Sequence, residues 1–130
     1  MRQYMLMEKY PVFDLTIPRE ETSCASIDDI IARLRQKIEA HPKVAYIATF
    51  DHYAHTQGIG GDIDGSIKAA KNIVFCFGVA IPNAHILAVR PRSIGVADLG
   101  DAFHITFLEP PMEMATKEME SWCKDLADRV

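Results

Sequence analysis

SIDDIIARLRQKIEAHPKVAYIATFD, residues 26–51, joins the clearest helical pattern of the chain to a strongly apolar strand pattern. The apolar residues that recur at the spacing of one helical face are Ile27, Ile30, Ile31, Leu34 and Ile38. Ser26 precedes this stripe and is a residue type that caps helix N-termini, while Pro42 stops the helix. The stretch therefore predicts an amphipathic helix that leads into a strand.

Further strands are predicted by the apolar runs that follow. Residues 43–51 and 72–81 are almost uninterrupted apolar segments, which is typical of strands covered on both faces. A Pro82-Asn83 turn signal precedes residues 84–90, so this segment is interpreted as the hairpin partner of residues 72–81. Residues 93–108 predict a further strand or two.

The two ends of the chain complete the predicted architecture. Residues 3–17 predict one or two strands, broken near Pro11 and ended by Pro18. The tail has a second helical stripe, made of Ala115, Met119, Trp122, Cys123 and Leu126. Two amphipathic helices on a mostly antiparallel sheet of about five strands define an α+β two-layer sandwich, which we expect to span residues 1–130 as a single domain.

The balance between helices and strands also bears on assembly. Two helices cover one face of a sheet only in part, and the strand segments are too apolar for a face left in water. A large exposed apolar patch is unusual in a soluble monomer. We therefore expect a homodimer, or a larger homo-oligomer, formed through the sheet.

Composition and charge exclude several classes of protein. The 130 residues carry a net charge of -4, so the broad basic field that holds nucleic acid is absent, and Arg90 and Arg92 are too few to supply it. No apolar run approaches the ~18–20 residues that a membrane span needs, and residues 1–13 lack the apolar core of a signal peptide. The three cysteines form no C-x-x-C pair. We expect a cytoplasmic setting without membrane or nucleic-acid partners.

TFDHYAHTQGIGGDIDG, residues 49–65, is the most concentrated group of candidate functional residues. His52 and His55 stand three residues apart at the predicted end of a strand, beside Asp51 and Tyr53. Imidazole binds divalent transition metals well, so His52 and His55 are candidate ligands of such a metal, or of a small molecule. The alternative is that these are ordinary loop histidines, because the pair lacks the H-E-x-x-H helix context.

Two residues outside this segment are further candidates for the same site. His104 lies on a predicted strand, where a rigid backbone would suit a ligand, and His85 is a further candidate for the same reason. Cys76 could act as a nucleophile beside a histidine, or pack as a small apolar residue in the interior. The sequence does not show whether these side chains meet in space.

The glycines of residues 58–65 leave two interpretations open. Glycine-rich loops can bring backbone N–H groups to a phosphate, but Asp62 and Asp64 would repel it and no phosphate-loop motif is present. An EF-hand loop does not fit, since Ile73 stands where its final glutamate belongs. The alternative is a turning connection, with a tight turn at Asp64-Gly65.

Three functional hypotheses follow from these patterns. The first is a homodimeric domain that binds a small ligand or metal at the His52, Tyr53 and His55 segment. The second is an enzyme, a metal-assisted hydrolase or histidine acid–base catalyst, that uses the same residues. The third is a protein-interaction module that dimerises through its apolar sheet and in which the histidines are incidental.

Overall fold

The structure is a computed structural model and describes residues 1–129. Its strands are β1 (Arg2–Leu6), β2 (Tyr10–Pro18), β3 (Ala45–Asp51), β4 (Ala69–Cys76), β5 (Arg92–Asp98) and β6 (Ala102–Leu108). Its α-helices are α1 (Ile27–Ala40), α2 (His52–Gly58) and α3 (Glu113–Lys124), with 3₁₀ helices at Arg19–Glu21 and Ala84–Val89. No helix within residues 1–129 has the length and apolarity to cross a membrane.

The strands form one sheet in the order β1-β2-β6-β5-β4-β3, and every neighbouring pair is antiparallel. The predicted α+β architecture with an antiparallel sheet is confirmed, with six strands rather than about five. The additional strand arises because residues 3–17 turn back at Met7 and Glu8, which have positive φ angles of 54° and 59°. The break therefore precedes Pro11, which lies inside β2.

Helix α1 has the buried stripe that its spacing predicts. The backbone N–H of Asp29 donates to Ser26 Oγ at 3.2 Å, which caps the helix N-terminus. The predicted stripe residues Ile27, Ile30, Ile31, Leu34 and Ile38 are all buried. The prediction of an amphipathic helix here is confirmed, and the helix ends at Ala40, two residues before Pro42.

Helices α1 and α3 pack on the same side of the sheet and close a single core. Trp122 of α3 lies edge-on to Phe75 with ring centroids 5.6 Å apart, and it stacks on Phe77 at 5.8 Å. The sheet supplies its alternate residues to this core: Phe13, Ile17, Ile73, Phe75, Ile94, Val96, Phe103, Ile105 and Phe107. Alternation along the strands turns the remaining residues toward the opposite side of the sheet.

Two expectations for the middle of the chain are wrong. Residues 84–89 form a 3₁₀ helix rather than a strand, because the Asn83 side chain caps the segment by accepting from the Ile86 backbone N–H at 3.2 Å. Strand β4 consequently pairs with β5 on that side. Strand β3 lies at the edge of the sheet with mostly exposed residues, so the prediction that it is covered on both faces fails within one chain.

Replacement of a stripe residue should destabilise the fold strongly. Leu34 is 0% exposed in the core, so Leu34→Ala should lower the free energy of unfolding by about 2–5 kcal/mol. Urea unfolding measures this, with Gln36→Ala on the exposed side of α1 as the matched control. A loss for Leu34→Ala no larger than that for Gln36→Ala would contradict the packing of α1 on the sheet.

Candidate functional site

The segment that the sequence singles out begins where β3 ends. Asp51 is the last strand residue, and its side chain accepts from the Ala54 backbone N–H at 2.9 Å, which caps α2. The predicted loop is therefore a short helix, with His52, Tyr53 and His55 on it. Asp51 is occupied in capping that helix and has Lys71 Nζ 4.0 Å from its carboxylate.

His52 and His55 both contact the aromatic ring of Phe50. The Phe50 ring centroid is 4.8 Å from that of His52 and 5.5 Å from that of His55, and both histidines are exposed. Within the described part of the chain, no three His, Cys, Asp or Glu side chains are grouped closely enough to hold a metal ion. The metal site at His52 and His55 thus stays a prediction.

A cavity lies between α2 and the segment that leads into β4. It holds about 460 Å³ of space, counted to its open mouth. Its lining residues are His52, Tyr53, Thr56, Asp62, Ile63, Asp64, Ile67 and Ala70. Asp64 accepts from the Ser66 backbone N–H at 2.9 Å and from Ser66 Oγ at 2.7 Å, and these bonds lower the pKa of its carboxyl. This geometry favours the turn interpretation of the glycine-rich segment over a phosphate loop.

The other candidate residues do not join this cavity. Cys76 is half-buried at the far end of β4, six residues beyond Ala70, or roughly 20 Å along an extended strand. His85 is exposed on the 3₁₀ helix, so the expectation that it points from a strand is wrong. His104 lies on β6, where its register partners are Thr16 and Ala97. No Cys–His pair is formed between Cys76 and His104 or His52.

The side of the sheet opposite α1 and α3, which we call the open face, carries a row of residues in register across all six strands. From β1 to β3 the row is Arg2, Asp14, Thr106, Gly95, Asn72 and Phe50. A second row beside it is Thr16, His104, Ala97 and Ala70. The flanking positions are Tyr4, Leu6, Tyr10, Val12, Leu108, Ser93, Val74, Cys76, Ala45 and Ala48.

One ion pair, with an exposed arginine and a buried carboxylate, lies at the β1 end of this row. Arg2 donates from Nε to Asp14 Oδ1 at 3.0 Å and from Nη2 to Asp14 Oδ2 at 2.7 Å. Asp14 is buried, and the Arg2 hydrogen bond holds the pKa of its carboxyl below the usual range. His104 adds Nε2 at 3.9 Å from Asp14 Oδ2, and its Nδ1 lies 3.3 Å from Thr16 Oγ1. The imidazole therefore has a carboxylate to pair with whenever it is protonated.

The middle of the open face forms a depression because the side chains there are small. A cavity of about 350 Å³, counted to its open mouth, lies over Asn72, Gly95, Ala97, His104 and Thr106, and it adjoins the α2 cavity at Ala70. Asn72 Nδ2 donates to Ser93 Oγ at 3.1 Å. A Cβ at Gly95 would stand 3.0 Å from Asn72 Oδ1, so a side chain there would displace the amide. Because Gly95 has no side chain, the Asn72 amide stays accessible at the bottom of this cavity.

Asp14, Asn72, Gly95 and Thr106 did not emerge from the sequence as candidates. A signal for Asp14 exists in the alternation of β2, where it stands between the core residues Phe13 and Leu15 and must face away from them. The convergence of all four residues depends on strand order, which local patterns do not contain.

The fold and the site define a small α+β domain with α1 and α3 on one face of its sheet and, on the other, an open face that α2 borders at Phe50. The model of the family of unknown function DUF6858 matches residues 1–128, so the chain belongs to the DUF6858 family. Among curated proteins, none matches the chain.

The fold is also similar to that of a solved structure. The crystal structure of a conserved DUF302 protein from Bacillus stearothermophilus matches with a TM-score of 0.55 and 16% sequence identity. The match covers 90% of this chain and 91% of that chain. At this identity, the similarity establishes a shared fold.

The Arg2–Asp14 pair should give the protein a specific pH dependence. Asp14 has a lowered pKa when folded, so the stability it contributes is present above the usual carboxyl pKa and is lost as pH falls through the folded value. Arg2→Gln should therefore lower the urea midpoint at pH 7, and this deficit should be smaller near pH 3, because the stability contributed by the ion pair is lost as pH falls.

Lys9→Gln is the matched control, because it removes a cation from the exposed β1–β2 turn. It should shift the midpoint equally little at both pH values. An Arg2→Gln deficit that is as large near pH 3 as at pH 7 would show that the pair acts through packing rather than charge.

Proposed function

We propose that this domain works as a homodimer that pairs its open faces and holds a small, uncharged polar ligand between them. The observation that carries the proposal is the composition of the open face. The solvated side of an antiparallel sheet is normally polar. Among the described strand residues of the open face, the only charged ones are Arg2 and Asp14, which neutralise each other. A sheet face with so little charge is expected to be covered by another protein surface rather than to stand in water.

The shape of the open face supports a cover that touches its rim and leaves space at its centre. Its large apolar side chains stand at the margins: Leu6 is 43% exposed, Tyr10 47%, Leu108 46% and Phe50 44%. The centre, at Ala70, Gly95 and Ala97, has little bulk, so two facing sheets would meet at the margins. The central cavity over Asn72 and Gly95 would then be enclosed between them.

Charge distribution favours a second copy of the chain as that cover. A net charge of -4 would make two copies repel wherever they presented like charges. The open face carries no net charge from its strands. Charged strand residues such as Lys71, which pairs with Asp28 of α1, lie on the helical side. Two-fold contact through one self-complementary patch is also the commonest form of oligomer.

The size of the face is sufficient for a stable, if small, interface. Six strands about 4.8 Å apart and roughly 20 Å long present about 600 Å² per protomer. Two such faces would bury roughly 1,200 Å², which is the lower end of the range for specific interfaces. We therefore expect a dimer whose association depends on protein concentration.

The ligand chemistry follows from the floor of the central cavity. Asn72 and Thr106 offer amide and hydroxyl groups, and His104 offers a ring nitrogen. On the far side of Ala70, His52 and Tyr53 line the α2 cavity together with the carboxylates of Asp62 and Asp64. The amide and hydroxyl groups of the central cavity suit a small uncharged molecule that carries amide or hydroxyl groups.

A charge placed at the centre of the open face should separate the protomers. Ala97→Lys puts an ammonium in the middle of the proposed interface, and its desolvation should weaken association at least about tenfold. Sedimentation velocity measures this as a shift from a dimer toward the 14.6 kDa chain. Ala32→Lys, on the exposed side of α1, is the matched control and should leave the dimer intact. A wild-type monomer at all concentrations would overturn the dimer.

Ligand binding should depend on the polar floor. In a protein-observed NMR screen of small amides and alcohols, fragments that bind the wild-type chain should bind Asn72→Ala about tenfold more weakly, because a bidentate amide partner is lost. Gln57→Ala, exposed on α2, is the control and should bind them unchanged. Equal binding to Asn72→Ala, or chemical-shift changes confined to the helical side, would overturn the proposed site.

A further inference from the structure

A separate cavity lies at the end of the sheet where β4 and β6 finish. It is bounded by the end of β4, the 3₁₀ helix Ala84–Val89 and the segment that enters α3, and it holds about 380 Å³ counted to its mouth. Its apolar wall consists of Phe77, Val79, Ile86, Val89, Met112 and Ala115. Such a wall favours an apolar body in contact with it.

Two arginines, Arg90 and Arg92, share this lining, and neither forms an ion pair within residues 1–129. Arg2, Arg19, Arg33 and Arg35 each pair with a carboxylate. For Arg90 and Arg92, residues 1–129 provide no carboxylate at ion-pair distance. Two unpaired cations lining one apolar cavity are unusual in a chain with a net charge of -4.

Two of the guanidinium nitrogens of Arg92 donate hydrogen bonds to the chain, and the third has no acceptor among the described residues. Its Nη1 donates to the Val89 carbonyl at 3.0 Å and its Nη2 donates to the Leu108 carbonyl. Its Nε is buried and has no hydrogen-bond partner within the described residues. Burial lowers the pKa of the guanidinium, which nonetheless stays charged at any physiological pH. A charge desolvated without a counterion is costly, and an anion would offset that cost.

We propose that this cavity binds a small organic anion, with a carboxylate on the Arg90 and Arg92 guanidinium groups and a short apolar body on the facing wall. A planar carboxylate matches the fork of guanidinium donors better than a single point charge does. Inorganic phosphate would satisfy the arginines but would leave the apolar wall uncovered. Neutral apolar molecules would cover the wall but leave the arginines unpaired.

The mouth of the cavity supports an occupant with an apolar body. Val79 is 43% exposed and Val89 is 37% exposed, although both belong to the apolar wall. An alkyl chain of a few carbons would cover these side chains while its carboxylate reached Arg92. The cavity shares Cys76 with the margin of the open face but lies away from the central cavity, and the binding proposed here does not require the dimer.

The test compares four probes by protein-observed NMR titration: hexanoate, 1-hexanol, acetate and inorganic phosphate. Hexanoate should bind at least about tenfold more tightly than each of the others, because it alone satisfies both the arginines and the wall. Its chemical-shift changes should map to residues such as Phe77, Val79 and Ala115. Arg92→Gln and Arg90→Gln should each weaken hexanoate binding at least about fivefold.

Arg129→Gln is the matched control, because Arg129 lies beside Glu21 at the opposite end of the sheet and should not affect hexanoate. If Arg92→Gln fails to fold, Arg90→Gln and Val79→Glu decide the matter, since both change the mouth rather than the core. Hexanoate affinity unchanged in these two variants would overturn the proposal. Equal affinity for hexanol or phosphate, or no binding by hexanoate, would overturn it as well.

Discussion

The packing of two helices on one face of a six-stranded sheet is the constraint on which the rest of the structure depends. Leu34 and Ile38 of α1 and Trp122 of α3 bury the alternate residues of every inner strand. Because strand side chains alternate, a slip of one residue would reverse the two faces, so this burial also specifies the register. The row from Arg2 to Phe50 on the open face is a consequence of that register.

The open face and the helical side carry very different chemistry. Ion pairs such as Lys71–Asp28 and Lys37–Asp125 lie around the helices, whereas the open face has small, polar and apolar residues and the single Arg2–Asp14 pair at its β1 end. Gly95 keeps Asn72 accessible, and Asp14 is held ionised by Arg2 beneath His104. A face that is smooth at its centre and apolar at its margins is suited to enclosing a small molecule when covered.

The sequence predicted those features that depend on local spacing. The predictions of apolar stripes on α1 and α3 are confirmed, because helix periodicity is a property of the segment itself. The prediction of a strand at residues 84–90 is wrong because it rests on apolar composition alone. The Asn83 side chain caps a 3₁₀ helix there instead. The edge position of β3 and the row around Asn72 depend on long-range pairing, so no local pattern could reveal them. The place of His52 at a strand end was correct, whereas the loop around it is helical.

The most direct test of the covered open face is an isotope-filtered NOE experiment on a mixture of ¹³C-labelled and unlabelled chains. Contacts between copies should appear at the methyl groups of Val74 and Leu108, which both face away from the helices. They should be absent at Ala32 on the outer side of α1. Intermolecular contacts at Ala32 instead, or none at millimolar protein concentration, would contradict the account, because the open face would then stand in water.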